Sequence, residues 1–417
     1  MRRVLFACAL MMAPRSAGAA DWLSLQGLEP DDPDKAAMRG FGFLQLSAEG
    51  YPGAAVDAAG DEVLSDFDGQ VPVFNTIDGE APWGVLLRRA RVGARGSVPG
   101  VPGASAQLSV ELGQNPQTIS DGGWSPRLVD ATMTLRSSEA VHLRLGRMKA
   151  PLSDEVLEGV HIEGDLIRFT RATGRLLMER DASSGVLTGP ADGFRDLGVQ
   201  AFGSHLSGKR EVSWALMVGT SATDPAGLAV EPTVTGRVQL AGLLGAQPRR
   251  SPVREEAAVW GFASLGARDV GAELSARRLR AGGGAQLRWK GLRLRTEGIY
   301  ADGVLATGIS PPFAGGVWTM APEGRAWGAT GLASFRFGDR WEVGLTGSHL
   351  DSQPDAGEER RIFDDGVAHA QLHLSPRLWF DLNAGIRTGR APEGSETAQA
   401  ILGETAPYIG GMATASW

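Results

Sequence analysis

The feature that most constrains this chain is a two-residue alternation of apolar and polar side chains, repeated along nearly all of it. In ASAQLSVELG, Ala106, Leu108, Val110 and Leu112 fall on one face, and Gln107, Ser109 and Glu111 on the other. In VHLRLGRMKAPLS, Val141, Leu143 and Leu145 oppose His142 and Arg144, until Gly146 breaks the run and Pro151 ends it. GLRLRTEGIY sets Leu292 and Leu294 against Arg293, Arg295 and Glu297, and GAQLRWKG sets Leu287 and Trp289 against Gln286, Arg288 and Lys290. A period of two places successive side chains on opposite faces of a sheet. Arg and Glu at mid-strand on the polar face distinguish the pattern from a packed sandwich.

Segments of this kind number roughly sixteen to eighteen and have the length of a membrane-crossing strand, about 9–11 residues. They run from 40–50 to 408–417 and include three consecutive ones at 256–265, 268–277 and 284–290. Tight joints such as Leu206-Ser207-Gly208-Lys209, Gly338-Asp339-Arg340 and Ser375-Pro376-Arg377 alternate with long polar stretches at 51–83, 151–195, 245–256, 303–324, 351–365 and 389–407. Short turns at one end and long loops at the other predict an all-β, transmembrane antiparallel β-barrel of about sixteen strands, with eighteen as the alternative count. SDEVLEGV, 153–160, is a short helical turn in the longest of the later loops.

The N-terminus reads as an export signal. Met1-Arg2-Arg3 precedes an apolar core from Val4 to Ala13, and Arg15-Ser16-Ala17-Gly18-Ala19-Ala20 supplies a small-residue cleavage site. The expected organisation is a signal peptide over 1–20, a short periplasmic segment over 21–39 and the barrel over 40–417. The one cysteine, Cys8, lies in the signal, so no disulfide framework is available to the exported chain. Loss of Arg2, Arg3 and Arg15 takes the formal charge from −7 to about −10, which argues against a nucleic-acid partner. No later stretch is long and apolar enough for a membrane helix. Trp260, Trp289, Trp341 and Trp379 lie at or near strand ends, as an interfacial girdle requires. The chain closes on Trp417, although Ala415, Ala413, Gly411 and Ile409, counted back by twos, are small.

Four blocks resemble the phosphate-selective porin family of Gram-negative outer membranes. GFGFLQLSAEGY (40–51) is similar to the family's first strand, with Phe43 where the family places an arginine. LLRRARVGARG (86–96) resembles its paired-arginine strand, VDATMTLRSSEAVHLRLGRMKAPLSDEVLEG (129–159) the block that ends in a G-[QR]-[FM]-K-x-P-like turn, and FRDLGVQAFG (194–203) the strand after the long loop. The second half matches only as generic barrel strands. The resemblance implies a sixteen-stranded homotrimeric porin in the outer membrane, in contact with outer-membrane lipid. Small hydrophilic or anionic solutes would pass it, and 151–195 would fold into the lumen.

A diffusion channel acts through the electrostatics of its constriction, where rings of Arg favour anions, and guanidinium forks suit oxyanions. By alternation Arg89, Arg91 and Arg95 share one face of their strand. The family's paired arginines map onto Arg88 and Arg89, with Arg88 expected near an interface or beside a bulge, because an arginine facing mid-bilayer lipid costs about 2–4 kcal/mol. The same alternation turns Arg144, Arg237, Arg288, Arg293 and Arg295 inward. Arg168, Arg171 and Arg175 are the candidates in the constriction loop, and Glu111, Glu273, Glu297 and Glu342 would offset part of their field. No nucleophile elbow, zinc-protease or calcium-loop motif occurs, and no cofactor or metal is implied. His369 and His373 are too far apart along a strand to share a metal, and Asp32, Asp34, Asp364 and Asp365 read as loop acids. The competing functions are a non-conducting structural or assembly barrel and a soluble exported all-β binding protein.

Overall fold

The computed structural model describes residues 22, 38–50, 83–113, 126–138, 140–158, 169–180, 186–187, 190–221, 231–245, 254–269, 275–308, 318–394 and 406–417, with a few isolated positions besides. The signal peptide and Arg168 lie outside the described residues. Sixteen antiparallel strands form one closed barrel. In chain order they are β1 (Met38–Gly50), β2 (Trp83–Ser97), β3 (Ala104–Glu111), β4 (Arg127–Arg136), β5 (His142–Lys149), β6 (Arg195–Ser207), β7 (Arg210–Ser221) and β8 (Pro232–Leu243). The second half comprises β9 (Glu256–Asp269), β10 (Ser275–Trp289), β11 (Leu292–Asp302), β12 (Arg325–Phe337), β13 (Trp341–Ser352), β14 (Arg361–Ser375), β15 (Leu378–Arg390) and β16 (Ala406–Ser416). Each strand pairs with its neighbour in sequence, and β16 returns to β1 with Phe43 opposite Ser416. Closure leaves no unpaired edge, which settles the sheet as a barrel rather than a sandwich or propeller.

The alternation sorts the two faces. Leu44, Leu46, Val85, Leu108, Leu216, Val259, Leu345, Leu382 and Ile386 are exposed on the outside, while Gln45, Ser47, Glu111, Arg144, Gln200 and Glu297 are buried within. An apolar exterior around a polar interior inverts the arrangement of a soluble protein and matches that of a barrel in hydrocarbon. The two-residue turn at 290–291 shows how the chain reverses: Lys290 (φ 47°) and Gly291 (φ 84°) occupy the two positive-φ positions that let a hairpin follow the twist of its strands.

Two expectations are corrected. The three segments at 256–265, 268–277 and 284–290 are two strands, β9 and β10, and the glycine run at 282–284 sits inside β10. The reason lies across the sheet. Trp260 and Phe262 are buried inside the barrel, 6% and 5% exposed, opposite Gly284 and Gly282. A Cβ at Gly284 would lie 2.6 Å from Trp260 Cζ2, and one at Gly282 2.5 Å from Phe262 Cζ, so these glycines make room for two large rings. Consequently Trp260 is not part of an outer girdle, and neither is Trp379, which is 3% exposed on the inner face. Trp289 and Trp341 are exposed on the outside, as expected.

Between β5 and β6 the chain turns inward. Pro151 ends β5, and Ser153 caps the short helix α1 (Asp154–Leu157), its hydroxyl accepting from Val156 N at 3.2 Å. A second short helix, α2 (Arg171–Leu176), is capped by Thr170 and lies against β11, β12 and β13. Val156, Ala172, Leu176 and Leu177 join Trp260, Phe262, Ile299, Ala326, Leu350 and Phe363 in one buried apolar cluster. The interior therefore has its own hydrophobic core, built where loop meets wall. No helix among the described residues is long and apolar enough to cross a membrane.

Candidate functional site

The charged groups of the interior fall into two sets. The first lines β1 to β6. The register slips between Gln45 and Leu46, so that Gln45 faces Arg89 and Leu46 faces Leu87, leaving Arg88 as the extra residue of a β-bulge. A bulge breaks the strict alternation, and consecutive arginines both reach the interior: Arg88 and Arg89 are 0% and 4% exposed. Arg88 Nη1 donates to Glu49 Oε1 at 2.6 Å, and Arg89 Nη1 to Gln45 Oε1 at 2.7 Å. Arg91 pairs with Glu111 at 3.0 Å and lies 5.3 Å from the centre of the Phe43 ring, so Phe43 presents a face to its guanidinium. Arg195 pairs with Asp130 at 2.9 Å. Arg144 donates from Nε to Thr134 Oγ1 at 3.0 Å and stacks 4.5 Å above Phe202.

The second set joins the loop to the opposite wall. Arg237 donates to the Leu152 carbonyl at 2.8 Å and to Asp154 at 3.2 Å. Glu158 accepts from Arg295 at 2.6 Å and from Arg293, with Arg288 3.9 Å away. Asp154 N donates to Glu297 Oε1 at 3.1 Å, and the same oxygen accepts from Trp260 Nε1 at 2.9 Å. Burial works to raise the Asp154 pKa, but Arg237 and then Arg295, Arg288 and Arg293 outweigh it and hold the carboxyl below its ordinary value. Glu155 ties α1 to α2: it accepts from Thr170 N, Thr170 Oγ1 and Thr173 Oγ1, each at 2.6 Å. At the far end Arg171 pairs with Asp365 at 2.8 Å and lies over Phe363 at 4.9 Å, with Arg175 5.8 Å from that ring.

All the strand arginines singled out from sequence thus reach the interior. Arg88, Arg89, Arg144, Arg237, Arg288, Arg293 and Arg295 are buried and Arg91 is partly so. Most hold a carboxylate. Asp365 is no loop acid: it sits on β14 facing inward, while Asp364 faces outward beside His349 at 2.7 Å and Arg390 at 2.6 Å. His369 and His373 both lie on the inner face of β14. No cluster of potential metal ligands occurs among the described residues.

Sequence reasoning missed Arg278 and Arg280, which donate to the Leu177 and Leu176 carbonyls at 3.3 and 2.6 Å. Their alternation in SARRLRAGGG was a signal, masked by reading the glycines as a strand boundary. Gln200, 1% exposed and directly opposite Arg144, was also missed. So was Trp22, buried with Leu157, Phe202 and Ala215, its Nε1 donating to Ser213 Oγ at 2.9 Å.

No protein-family model matches the chain, and no curated protein matches it. Solved structures do. An anion-selective porin from Comamonas acidovorans shares 14% identity at a TM-score of 0.59, over 92% of this chain and 100% of its own. The outer membrane channel DcaP of Acinetobacter baumannii shares 11% identity at a TM-score of 0.54, over 91% and 97%. The trimer form of OmpT, an outer membrane protein of Vibrio cholerae, shares 9% at a TM-score of 0.52, over 91% and 99%. At these identities the likeness is one of fold.

Proposed function

We propose that the chain is an outer-membrane porin of a Gram-negative bacterium, exported by a cleaved signal peptide, through which small hydrophilic solutes diffuse. The observation that carries this is a closed barrel, apolar outside and charged inside, with the loop after β5 folded against its inner wall. A barrel of this polarity is stable only with lipid around it and water within it. The loop from 151 to 195 is the constriction, and its partners are outer-membrane lipid and two further copies of the chain. The fold of a trimeric outer-membrane protein and that of an anion-selective porin both support this reading.

The anion bias rests on the wall of β1 to β6. There Arg144 faces the interior with a neutral hydrogen-bond partner, Thr134, as an anion path needs, and Arg89, bonded to Gln45, lies on the same wall. Arg237, Arg288, Arg293, Arg295 and Arg171 contribute less field, because loop or wall carboxylates balance them. Conductance and reversal potential of the refolded protein in a planar bilayer test both parts. Absence of any channel would sink the porin reading, and cation preference the anion bias.

One observation favours a second reading, a non-conducting barrel. Trp22 and the loop cluster together fill part of the interior. Such a barrel would fold in detergent with heat-modifiable mobility and carry no current.

A further inference from the structure

Trp22 lies inside the barrel, 3% exposed, packed with Leu157, Phe202 and Ala215. Its Nε1 donates to Ser213 Oγ at 2.9 Å, which satisfies the one polar atom that an indole buries. Its ring lies 5.4 Å from the Arg237 guanidinium, which also faces the Trp260 ring at 5.2 Å and holds the Leu152 carbonyl and Asp154. A guanidinium over an indole face attracts it, and more so away from water. The socket thus has an apolar floor, a hydrogen-bond acceptor and a cation, each matched to one part of an indole.

Two features make this contact more than core packing. The first is what it joins. Leu157 is the last residue of α1 and precedes Glu158, which Arg293 and Arg295 hold, while Arg237 grips the start of the same helix at Asp154. Trp22 therefore touches both the helix on which the loop's ion pairs converge and an arginine that holds that helix. The second is its place in the chain. The export-signal reading puts cleavage near Ala19 or Ala20, which makes Trp22 the second or third residue of the exported protein. Ser213 lies near the turn between Ser207 and Arg210, and Met38, where β1 starts, pairs with Gly96 near the turn from β2 to β3. Trp22 is thus seated toward the short-turn end, where β1 also begins.

We propose that Trp22 is a positioning residue of the channel: the N-terminus created by signal removal seats it in this socket and so braces α1 against the wall. The inference rests on the export and diffusion-channel readings and adds the element that completes the lumen. In the unprocessed chain 21 residues precede Trp22, among them the apolar run from Val4 to Ala13. That segment keeps Trp22 from its seat, so the constriction takes its final form only after cleavage.

The test compares the exported chain from Asp21, its Trp22→Ala variant and the unprocessed chain, each refolded in detergent. Trp22→Ala leaves a vacancy of indole shape, so isothermal titration with free indole should show saturable binding in the variant and none in the exported wild type. The unprocessed chain should bind indole as the variant does. In a planar bilayer Trp22→Ala should populate a second conductance level roughly tenfold or more above its wild-type occupancy. Free indole should return the variant to one level, a rescue that a general loss of stability would not give. Trp289→Ala, which removes an exposed indole from the outer face, should show neither effect. Absence of indole binding by Trp22→Ala overturns the proposal, as does a wild-type conductance pattern in that variant. Equal behaviour of the exported and unprocessed chains overturns the link to signal removal. If Trp22→Ala fails to fold, the comparison of exported and unprocessed wild-type chains decides in its place. Loss of current in every chain would defeat the channel reading alone, because indole binding is read without current.

Discussion

Glu158 is the residue whose replacement tests the loop most directly. Its Oε1 is 2.6 Å from Arg295 Nη1, is bonded to Arg293 and lies 3.9 Å from Arg288, so one carboxylate faces three guanidinium groups. Two unit charges about 4 Å apart interact by roughly 4 kcal/mol at the effective permittivity of a protein surface. Removing one partner of a buried set costs about 3–5 kcal/mol, because the remaining charges stay desolvated. The Glu158 side chain is 13% exposed, which favours the lower end of that range. Glu158→Gln keeps the shape and loses the charge, and about 3 kcal/mol moves the ratio of docked to undocked loop by about two decades. The cost falls on the loop, because the strand ladders that close the barrel do not involve Glu158. Single-channel recording should show a second, larger conductance level, and the reversal potential in a salt gradient should move toward that of the anion as three arginines lose their counter-charge. Heat-modifiable mobility should be unchanged. One conductance level with the wild-type reversal potential would refute the assignment of Glu158 as the loop's latch.

Four further outcomes follow from the same geometry. Arg88→Ala takes the guanidinium from the buried Glu49 carboxylate at the bulge, leaving Ser47 Oγ still donating to it, and should lower the urea midpoint of the refolded barrel by the equivalent of about 3 kcal/mol; an unchanged midpoint would remove the bulge pair from the stability of the fold. Gly284→Ala places a methyl 2.3 Å from the Thr296 carbonyl oxygen and 2.6 Å from Trp260 Cζ2, and should cost about 1–3 kcal/mol in thermal unfolding; an unchanged midpoint would contradict the close approach at this glycine. Leu345→Arg, on the exposed outer face, should cost about 2–4 kcal/mol when folding is measured in lipid vesicles; an unchanged folding free energy would contradict the lipid-facing assignment. Asp154 has a pKa below its ordinary 3.8, so its contribution to loop docking is complete above that value and is lost as pH falls through the folded-state value. On acidification below pH 3.8 the Asp154 share of docking should be lost and conductance rise; a conductance that stays at its level of about pH 4 would refute it.

What the sequence made legible follows the range of the interaction concerned. Alternation is local, so the barrel, the direction of Arg144, Arg237, Arg293 and Arg295, and the inward turn at Pro151 could all be read from neighbours a few residues apart. The rest depends on pairs far apart in the chain. Gly282 and Gly284 look like a strand boundary until Phe262 and Trp260 are set opposite them. Asp365 looks like a loop acid until Arg171 arrives from a loop nearly two hundred residues earlier. The bulge at Arg88 illustrates the intermediate case: a lipid-facing arginine is too costly to accept, so something irregular was required there, but only the slipped register between Gln45 and Leu46 shows what it is.

The pairing pattern changes what an arginine-rich interior means. If inward arginines were simply a lining, each would add to the field felt by a passing ion. Here Arg237, Arg293 and Arg295 grip the acids of α1, Arg171 grips Asp365, and Arg278 and Arg280 hold the carbonyls at the end of α2. Their charge therefore fixes where the loop lies against the inner wall. On the proposed channel reading, selectivity falls to arginines not so engaged, such as Arg144, which has a threonine and a phenylalanine ring for partners and no carboxylate among the described residues. On that reading, shape and selectivity are carried by different arginines of the same barrel. Replacing a loop-holding arginine alters the channel chiefly through its geometry, and replacing Arg144 alters it chiefly through its field.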